Sequence, residues 1–525
     1  MAAGGGFSVG RRPPGALVLA AAVPVALVLL PLAITAAEAI GMGARAAAAL
    51  LFRPLVGMLL VHTVGLIAAA TLCCTLAGTG AAFLVERTDL PFRRAWAVLA
   101  TAPLAIPAFI SSYAWVSLSP ALEGFYGALL VVTCAYAPFV YLPVAAALRG
   151  LDPALEESAR ALGLTPAACF RRVVLPQLRP AMMGGALLVA LNTLVEFGAF
   201  ALLRYRTFTT EIFAAYRAGF AGAEASLLAL VLLLLCLGCL GAEAASRGHA
   251  RYARLGRGAR RQAQPYELGF WRLPALAVMG TLAAAAIGAP LVMILFWLTR
   301  HGAAAITPAE ASPRALLDAA LNSAGLGLGG AALTLLLALP LGILASRWRG
   351  GAIVLLERGA WLAQGVPGIV IALALITATV RAVPVLYQST ALLLAAYAIL
   401  FLPLALVGVR AALLQAEPRL EEAGRSLGSG WAQVLRRVTL PLAAPGLGAA
   451  AALVFVSVTT ELTTTLLLAP IGTETLATRI WADTSTLAFA AAAPYAAILV
   501  GLSMAASWLL ARRFGIVAFA GHVGD

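Results

Sequence analysis

The sequence predicts an all-α integral membrane protein, with about twelve transmembrane helices arranged as two parallel six-helix repeats. Three observations predict it. Apolar residues make up 62% and charged residues 11% of the 525 positions, with a mean hydropathy of +0.96, whereas a globular chain carries about 25% charged residues. Apolar stretches of about 20 residues, the span a hydrocarbon core requires, recur along the whole length. The two halves also repeat each other, and internal self-similarity is the first thing to seek because it sets the architecture.

The apolar spans fall near 15–37, 57–85, 95–118, 125–148, 181–203 and 225–245 in the first half. In the second half they fall near 273–299, 320–346, 359–380, 390–413, 445–468 and 488–511. Only helices and closed barrels satisfy their backbone in lipid, and these spans are too long and too uniformly apolar for barrel strands. Residues 1–250 then form the first six-helix repeat, 251–272 a basic linker and 273–525 the second repeat.

Arginine placement orients the spans. All 36 basic residues are arginine, and no lysine occurs. With Arg11 and Arg12 in the cytoplasm, and Arg410 counted at the cytoplasmic end of its span, 27 arginines fall on the cytoplasmic side and 9 outside. That is the positive-inside bias. Both termini are therefore expected in the cytoplasm. The first span reads as an uncleaved anchor, since removing it as a signal peptide would invert every later loop. The run from Arg247 to Arg261 reads as an orienting linker in preference to a lipid-headgroup site. The net charge of +14 is thus a topology signal, and no nucleic acid is expected as a partner.

The repeat holds its spacing over long stretches. His62-Thr63-Val64-Gly65 matches Asn322-Ser323-Ala324-Gly325 at an offset of 260, as do Arg87 with Arg347 and Pro107 with Pro367; Pro138 pairs with Pro403 at 265. Between residues 153–180 and 418–445, 14 of 28 aligned positions are identical without a gap. The matches include Glu, Arg, Gly and Pro, beyond what shared apolar bias produces. Six intervening spans give both copies one orientation, and a pseudo-twofold axis along the membrane normal.

The strongest block occupies the loop between the fourth and fifth spans of each half. Pro153 opens it, and Glu156-Glu157 follow in the first turn, where carboxylates suit a helix N-terminus. Gly163 is expected to interrupt the helix and admit a close backbone approach. A basic segment then leads to Leu175-Pro176, expected to turn the chain back into the bilayer. Pro418, Glu421-Glu422, Gly428, Arg436-Arg437 and Leu440-Pro441 repeat the pattern. A charged, duplicated helix on one face reads as a docking element, against the alternative of an amphipathic loop lying in the headgroups.

These residues resemble the permease subunits of binding-protein-dependent importers. That family carries Glu-Ala-Ala, three residues, Gly, nine residues, Ile, one residue, Leu-Pro. Glu157-Ser158-Ala159, Gly163, Val173 and Leu175-Pro176 keep that spacing, as do Glu422-Ala423-Gly424, Gly428, Val438 and Leu440-Pro441. Ser158 and Gly424 replace alanines, and valine twice replaces isoleucine. The resemblance implies a coupling helix in each loop, seated on one of two copies of a cytoplasmic ATP-binding subunit. It also implies an external or periplasmic substrate-binding protein, surrounding lipid, and a location in the bacterial cytoplasmic (inner) membrane. Fusion of both halves in one chain is typical of ferric-iron and of thiamine importers. The stretches 196–213 and 461–481 look most like the ferric-iron group.

The residues exclude other classes. A P-loop needs a lysine after its glycines, so any ATP hydrolysis belongs to other chains. The four histidines, at 62, 249, 301 and 522, have no metal-site spacing; no cofactor and no stably bound metal are expected. Cys236 and Cys239 have redox-motif spacing inside an apolar helix, where packing is the reading. Glu196 and Glu461 stand 265 apart in the fifth span of each half, some 15 residues into it and so about 20 Å deep. With Asn192 and Thr460 they form an oxygen-rich lining suited to a hard cation. Bracing between helices is the alternative. A secondary transporter of parallel-repeat type is the competing class, though it has no need of duplicated docking loops.

Overall fold

The computed structural model describes residues 13–218, 222–246, 265–300, 312–415 and 418–514. Arg11, Arg12, the run from Arg247 to Arg261, and His249, His301 and His522 lie outside the described residues. Among those described, ten helices are long and apolar enough to cross a membrane: Gly15–Gly41, Pro54–Arg87, Phe125–Gly150, Phe170–Val195, Gly222–Ala242, Gly269–Leu298, Pro313–Arg347, Thr390–Gln415, Trp431–Thr459 and Phe489–Ala506.

Two expected spans are not single rods. In place of 95–118 stand Arg93–Ala105 and Ala108–Leu118, bent by 93°; in place of 359–380 stand Gly351–Gly365 and Gly368–Ala382, bent by 105°. The break falls in each case at the matched proline. Pro107 and Pro367 force the preceding residue out of the helical region, and Ile106 and Val366 sit at φ −109° and −102° with ψ above 100°. Each proline then opens the next helix, where its missing N–H costs nothing.

The Leu-Pro pair also differs from expectation. Leu175-Pro176 does not turn the chain; the helix runs unbroken from Phe170 to Val195. A single π turn, Phe170–Val174, precedes the proline, and Leu435–Thr439 precedes Pro441 in the same way. The wider turn absorbs the hydrogen bond that each proline cannot donate.

Within each half, the second, fourth and fifth spans pack closely through small residues. A Cβ on Gly78 would come within 2.7 Å of the Ala137 carbonyl, and one on Gly185 within 2.7 Å of the Val140 backbone. In the second half Gly408 and Gly446 make close approaches between the tenth and eleventh spans, to Ala450 and Ala412, and a Cβ on Gly342 of the eighth span would come within 2.5 Å of Val409. Without a hydrophobic drive between helices in lipid, such close contact supplies the association.

The halves are interwoven. Leu17, Ala21 and Val25 of the first span share a core with Leu341, Ile353 and Ala360 of the second half. Ala275 and Met279 of the seventh span pack in turn against Ala81, Tyr141 and Val144 of the first half.

Candidate functional site

Two symmetric pairs of elements concentrate the polar chemistry. The first pair is the loop helices Pro153–Ala161 and Pro418–Ser426. Asp152 caps the first, its carboxylate accepting from the Ala154 N–H at 3.0 Å. Gly163 ends it at φ +85° and Gly428 ends the second at φ +84°. In each, the glycine N–H donates three residues back and the next N–H five back: Gly163 to Arg160 at 2.9 Å, Leu164 to Ala159 at 3.2 Å, Gly428 to Arg425 at 3.0 Å and Ser429 to Gly424 at 3.1 Å. This is a Schellman cap, which demands a left-handed residue. A Cβ at either glycine would meet open space within this chain.

The two glutamates of each loop have opposite fates. Glu156 is buried, with its Oε1 2.7 Å from Arg87 Nη2; Glu421 is buried, accepting from Arg347 Nη2 at 2.6 Å. These arginines end the second span of each half, so a buried ion pair ties each loop helix to the bundle. Glu157 and Glu422 are exposed. Leu162 and Leu427, immediately before the glycines, are each 86% exposed. Ala159 is buried and Ala423 exposed, so the two loops are not identical. Leu175, Pro176, Leu440 and Pro441 lie in the fifth and eleventh spans, joining each loop to its helix. The sequence signal for the ion pairs was the 260-residue match of Arg87 with Arg347, which acquires its meaning only when the loops fold back on those arginines.

The second pair is Glu196 and Glu461. Twenty-one residues of continuous helix, Leu175–Val195, rise about 30 Å before Glu196, so the glutamates stand at the far ends of their spans, deeper than the expected 20 Å. The chain breaks there and restarts as Gly198–Leu202 and Thr463–Leu468. Glu196 accepts from the Ala199 N–H at 2.9 Å, and Glu461 from the Thr464 N–H at 2.7 Å. Each carboxylate caps the short helix that follows it.

Tyr136 donates to Glu196 Oε2 at 2.6 Å; its counterpart in the second half is Phe401. A Cβ on Gly198 would sit 2.8 Å from Leu462 Cδ2, so the two breaks touch across the pseudo-twofold axis. The broken spans arrive at the same place: a Cβ on Gly368 would come within 3.1 Å of Glu461 Oε1, and one on Gly198 within 2.9 Å of Phe109 Cβ. Positive helix N-termini thus approach both breaks. Among the described residues, no arginine pairs with either glutamate.

Asn192 and Thr460 make no hydrogen bond to either glutamate. Asn192 donates to the Leu188 carbonyl at 2.8 Å and Thr460 to the Val456 carbonyl at 2.8 Å, both on their own helices. The residues that sequence reasoning missed are Tyr136 and the anchors of the following segments. Thr63 Oγ1 accepts from the Phe208 N–H at 3.4 Å and Ser323 Oγ from the Leu476 N–H at 2.8 Å. The repeated pair Thr63 and Ser323 was visible, but its partners lie some 150 residues away.

Residues 75–242 and 338–513 each match the family described as binding-protein-dependent transport system inner membrane component. The chain belongs to that family. The Fe(3+)-transport system permease protein FbpB 2 of Haemophilus influenzae is 37% identical over 506 residues, covering 96% of this chain and 99% of that protein. The sulfate transport system permease protein CysT of Salmonella typhimurium is 34% identical over 134 residues, 22% of this chain and 48% of that protein. The putrescine transport system permease protein PotI of Escherichia coli is 32% identical over 129 residues, 23% of this chain and 46% of that protein. The chain is therefore a multi-pass permease subunit of an ABC importer, built from two copies of the family unit. In this permease the family's glycine spacing coincides with the two Schellman caps, and the glutamate that precedes the motif carries the buried ion pair.

Proposed function

We propose that this permease moves ferric iron inward, receiving it from an external substrate-binding protein and driven by two ATP-hydrolysing subunits on the cytoplasmic face. The similarity along nearly the whole of an Fe(3+)-transport permease, both halves included, is the observation that carries the substrate. Two carboxylates at the touching breaks, with no arginine partner among the described residues, support it, since a hard trivalent cation favours oxygen donors. The sulfate and putrescine relatives match only a part of the chain and argue for no single substrate. The loop helices support the energy coupling: each is pinned by a buried ion pair and offers an exposed leucine and glutamate to a partner. On this reading both termini lie in the cytoplasm, and the units divide near 1–250, 251–272 and 273–525.

The test is uptake of radiolabelled Fe(III) by proteoliposomes holding the permease with its ATPase and binding protein. ATP-dependent accumulation that excess thiamine leaves unchanged is expected. Accumulation of thiamine in its place would overturn the iron assignment.

A further inference from the structure

The described end of the chain between the halves, from residue 265, packs against the first loop helix. The Tyr266 N–H donates to the Arg87 carbonyl at 2.7 Å, and the Asp89 N–H to the Tyr266 carbonyl at 3.1 Å. Two residues on, the Leu268 N–H donates to Asp89 Oδ1 at 2.9 Å, and Arg272 pairs with Asp89 Oδ2. These contacts fix the end of the linker beside the ion pair of the first half. The Tyr266 hydroxyl then donates to Glu156 Oε2 at 2.9 Å, and its ring lies 4.6 Å below the Arg160 guanidinium. Arg87 Nη2 is close to Glu156 Oε1 but out of line for a hydrogen bond, so the phenol is the group that directs this carboxylate. Burial holds the phenol above its ordinary range and keeps it a donor.

The second half solves the same problem differently. Glu421 accepts at Oε1 from Arg347 at 2.6 Å and from the Thr439 hydroxyl at 2.9 Å, and at Oε2 from Arg425 at 3.4 Å. The residue equivalent to Thr439 is Val174, 1% exposed and without a hydroxyl. The first half lacks this hydroxyl on its carboxylate, and the linker brings one in from outside the repeat, to the other carboxylate oxygen.

We propose that Tyr266 is a positioning residue for the first loop helix, making the linker an integral part of one docking element and not of the other. The coupling consequence rests on the docking role proposed above; the positioning itself does not. Loss of one hydrogen bond to a buried carboxylate is worth about tenfold in local opening. Hydrogen exchange of the full chain in detergent reads it directly. Tyr266→Phe should speed exchange across residues 153–164 about tenfold and leave 418–429 unchanged. Adding Val174→Thr, which restores the hydroxyl found in the second half, should return exchange in 153–164 to near wild type. Unchanged exchange in 153–164, equal acceleration in both loops, or failure of Val174→Thr to rescue would each overturn the assignment. In the reconstituted transporter, Tyr266→Phe should lower Fe(III) taken up per ATP hydrolysed. If exchange behaves as stated while this ratio stays constant, positioning stands and the docking role of the loop fails.

Discussion

Replacing Glu196 and Glu461 separates charge from bracing, because the structure says what each carboxylate holds. Glu196 accepts one buried hydroxyl and one backbone N–H, and Glu461 accepts one backbone N–H. Glutamine keeps an oxygen for the N–H, and the Tyr136 hydroxyl turns to accept from the new amide. That exchange costs about 1 kcal/mol per site, the difference between a charged and a neutral hydrogen bond. Alanine strands the donors, at about 1–3 kcal/mol each, so Glu196→Ala is expected to unfold earlier on heating than Glu196→Gln. The effect on a cation is larger. A unit charge 4 Å from another is worth about 4 kcal/mol at an effective dielectric of about 20, and even a third of that is tenfold in rate. Glu196→Gln with Glu461→Gln should therefore insert and assemble normally, yet take up Fe(III) at least tenfold more slowly in initial-rate assays on proteoliposomes. Wild-type uptake by a well-expressed double variant would refute the charge argument and leave the carboxylates as helix caps.

Other outcomes follow from the loops. The purified chain should hydrolyse no ATP, since it contains no lysine for a phosphate loop; activity that survives removal of all partner subunits would contradict this. Leu162→Glu with Leu427→Glu leaves both helices and their glycine caps intact but should abolish co-purification of the ATPase subunits, each single change weakening it; retained assembly in the double variant would place docking elsewhere. Arg347→Met should destabilise the second loop by about 3 kcal/mol, because the buried Glu421 loses its counter-charge, and Arg347→Met with Glu421→Gln should recover much of it; a larger loss in the double variant, read by thermal unfolding, would reverse the argument. Asp89 is held below the usual carboxylate range by the Leu268 N–H first and Arg272 second, so its hold on the linker is complete above that range and is lost as pH falls through the lowered value. Amides 265–272 should stay protected from pH 7 down to about pH 5, and release within that interval would show that another group holds the linker.

The duplicated sequence made the helix count and the two loops legible, because apolar length and residue spacing are local properties. The kinks at Pro107 and Pro367 were less so. A proline inside an apolar run is tolerated in many membrane helices, as Pro24 and Pro31 within Gly15–Gly41 show, and only its packing decides between a tolerated ring and a right-angled break. At Gly163 and Gly428 the spacing announced an end to the helix, and the structure adds its backbone reason, the left-handed angle of each cap. Tyr136, Thr63, Ser323 and Tyr266 escaped because each acts on a partner 60 to 153 residues distant. Tyr266 in particular breaks the repeat, so symmetry concealed it.

The same contacts bear on how movement would pass through the molecule. In each half the second span holds both ends of the machinery. Thr63 anchors the segment after Glu196, and Arg87, 24 residues further along the same helix, holds Glu156. Ser323 and Arg347 do likewise for the second half. The fifth span is itself one helix from the loop to the glutamate, 26 residues or about 39 Å. Sliding the second span past the fifth would break a buried ion pair, at about 3–5 kcal/mol, along with the anchoring hydrogen bond. Moving the two together breaks neither. Ion pairs such as Arg381 with Glu38 and Arg272 with Asp89 join the halves elsewhere, but none is found among the described residues where Gly198 meets Leu462 beside the two glutamates. A displacement imposed on both loop helices would therefore be expressed as opening or closing at that contact, with each second and fifth span travelling as a unit.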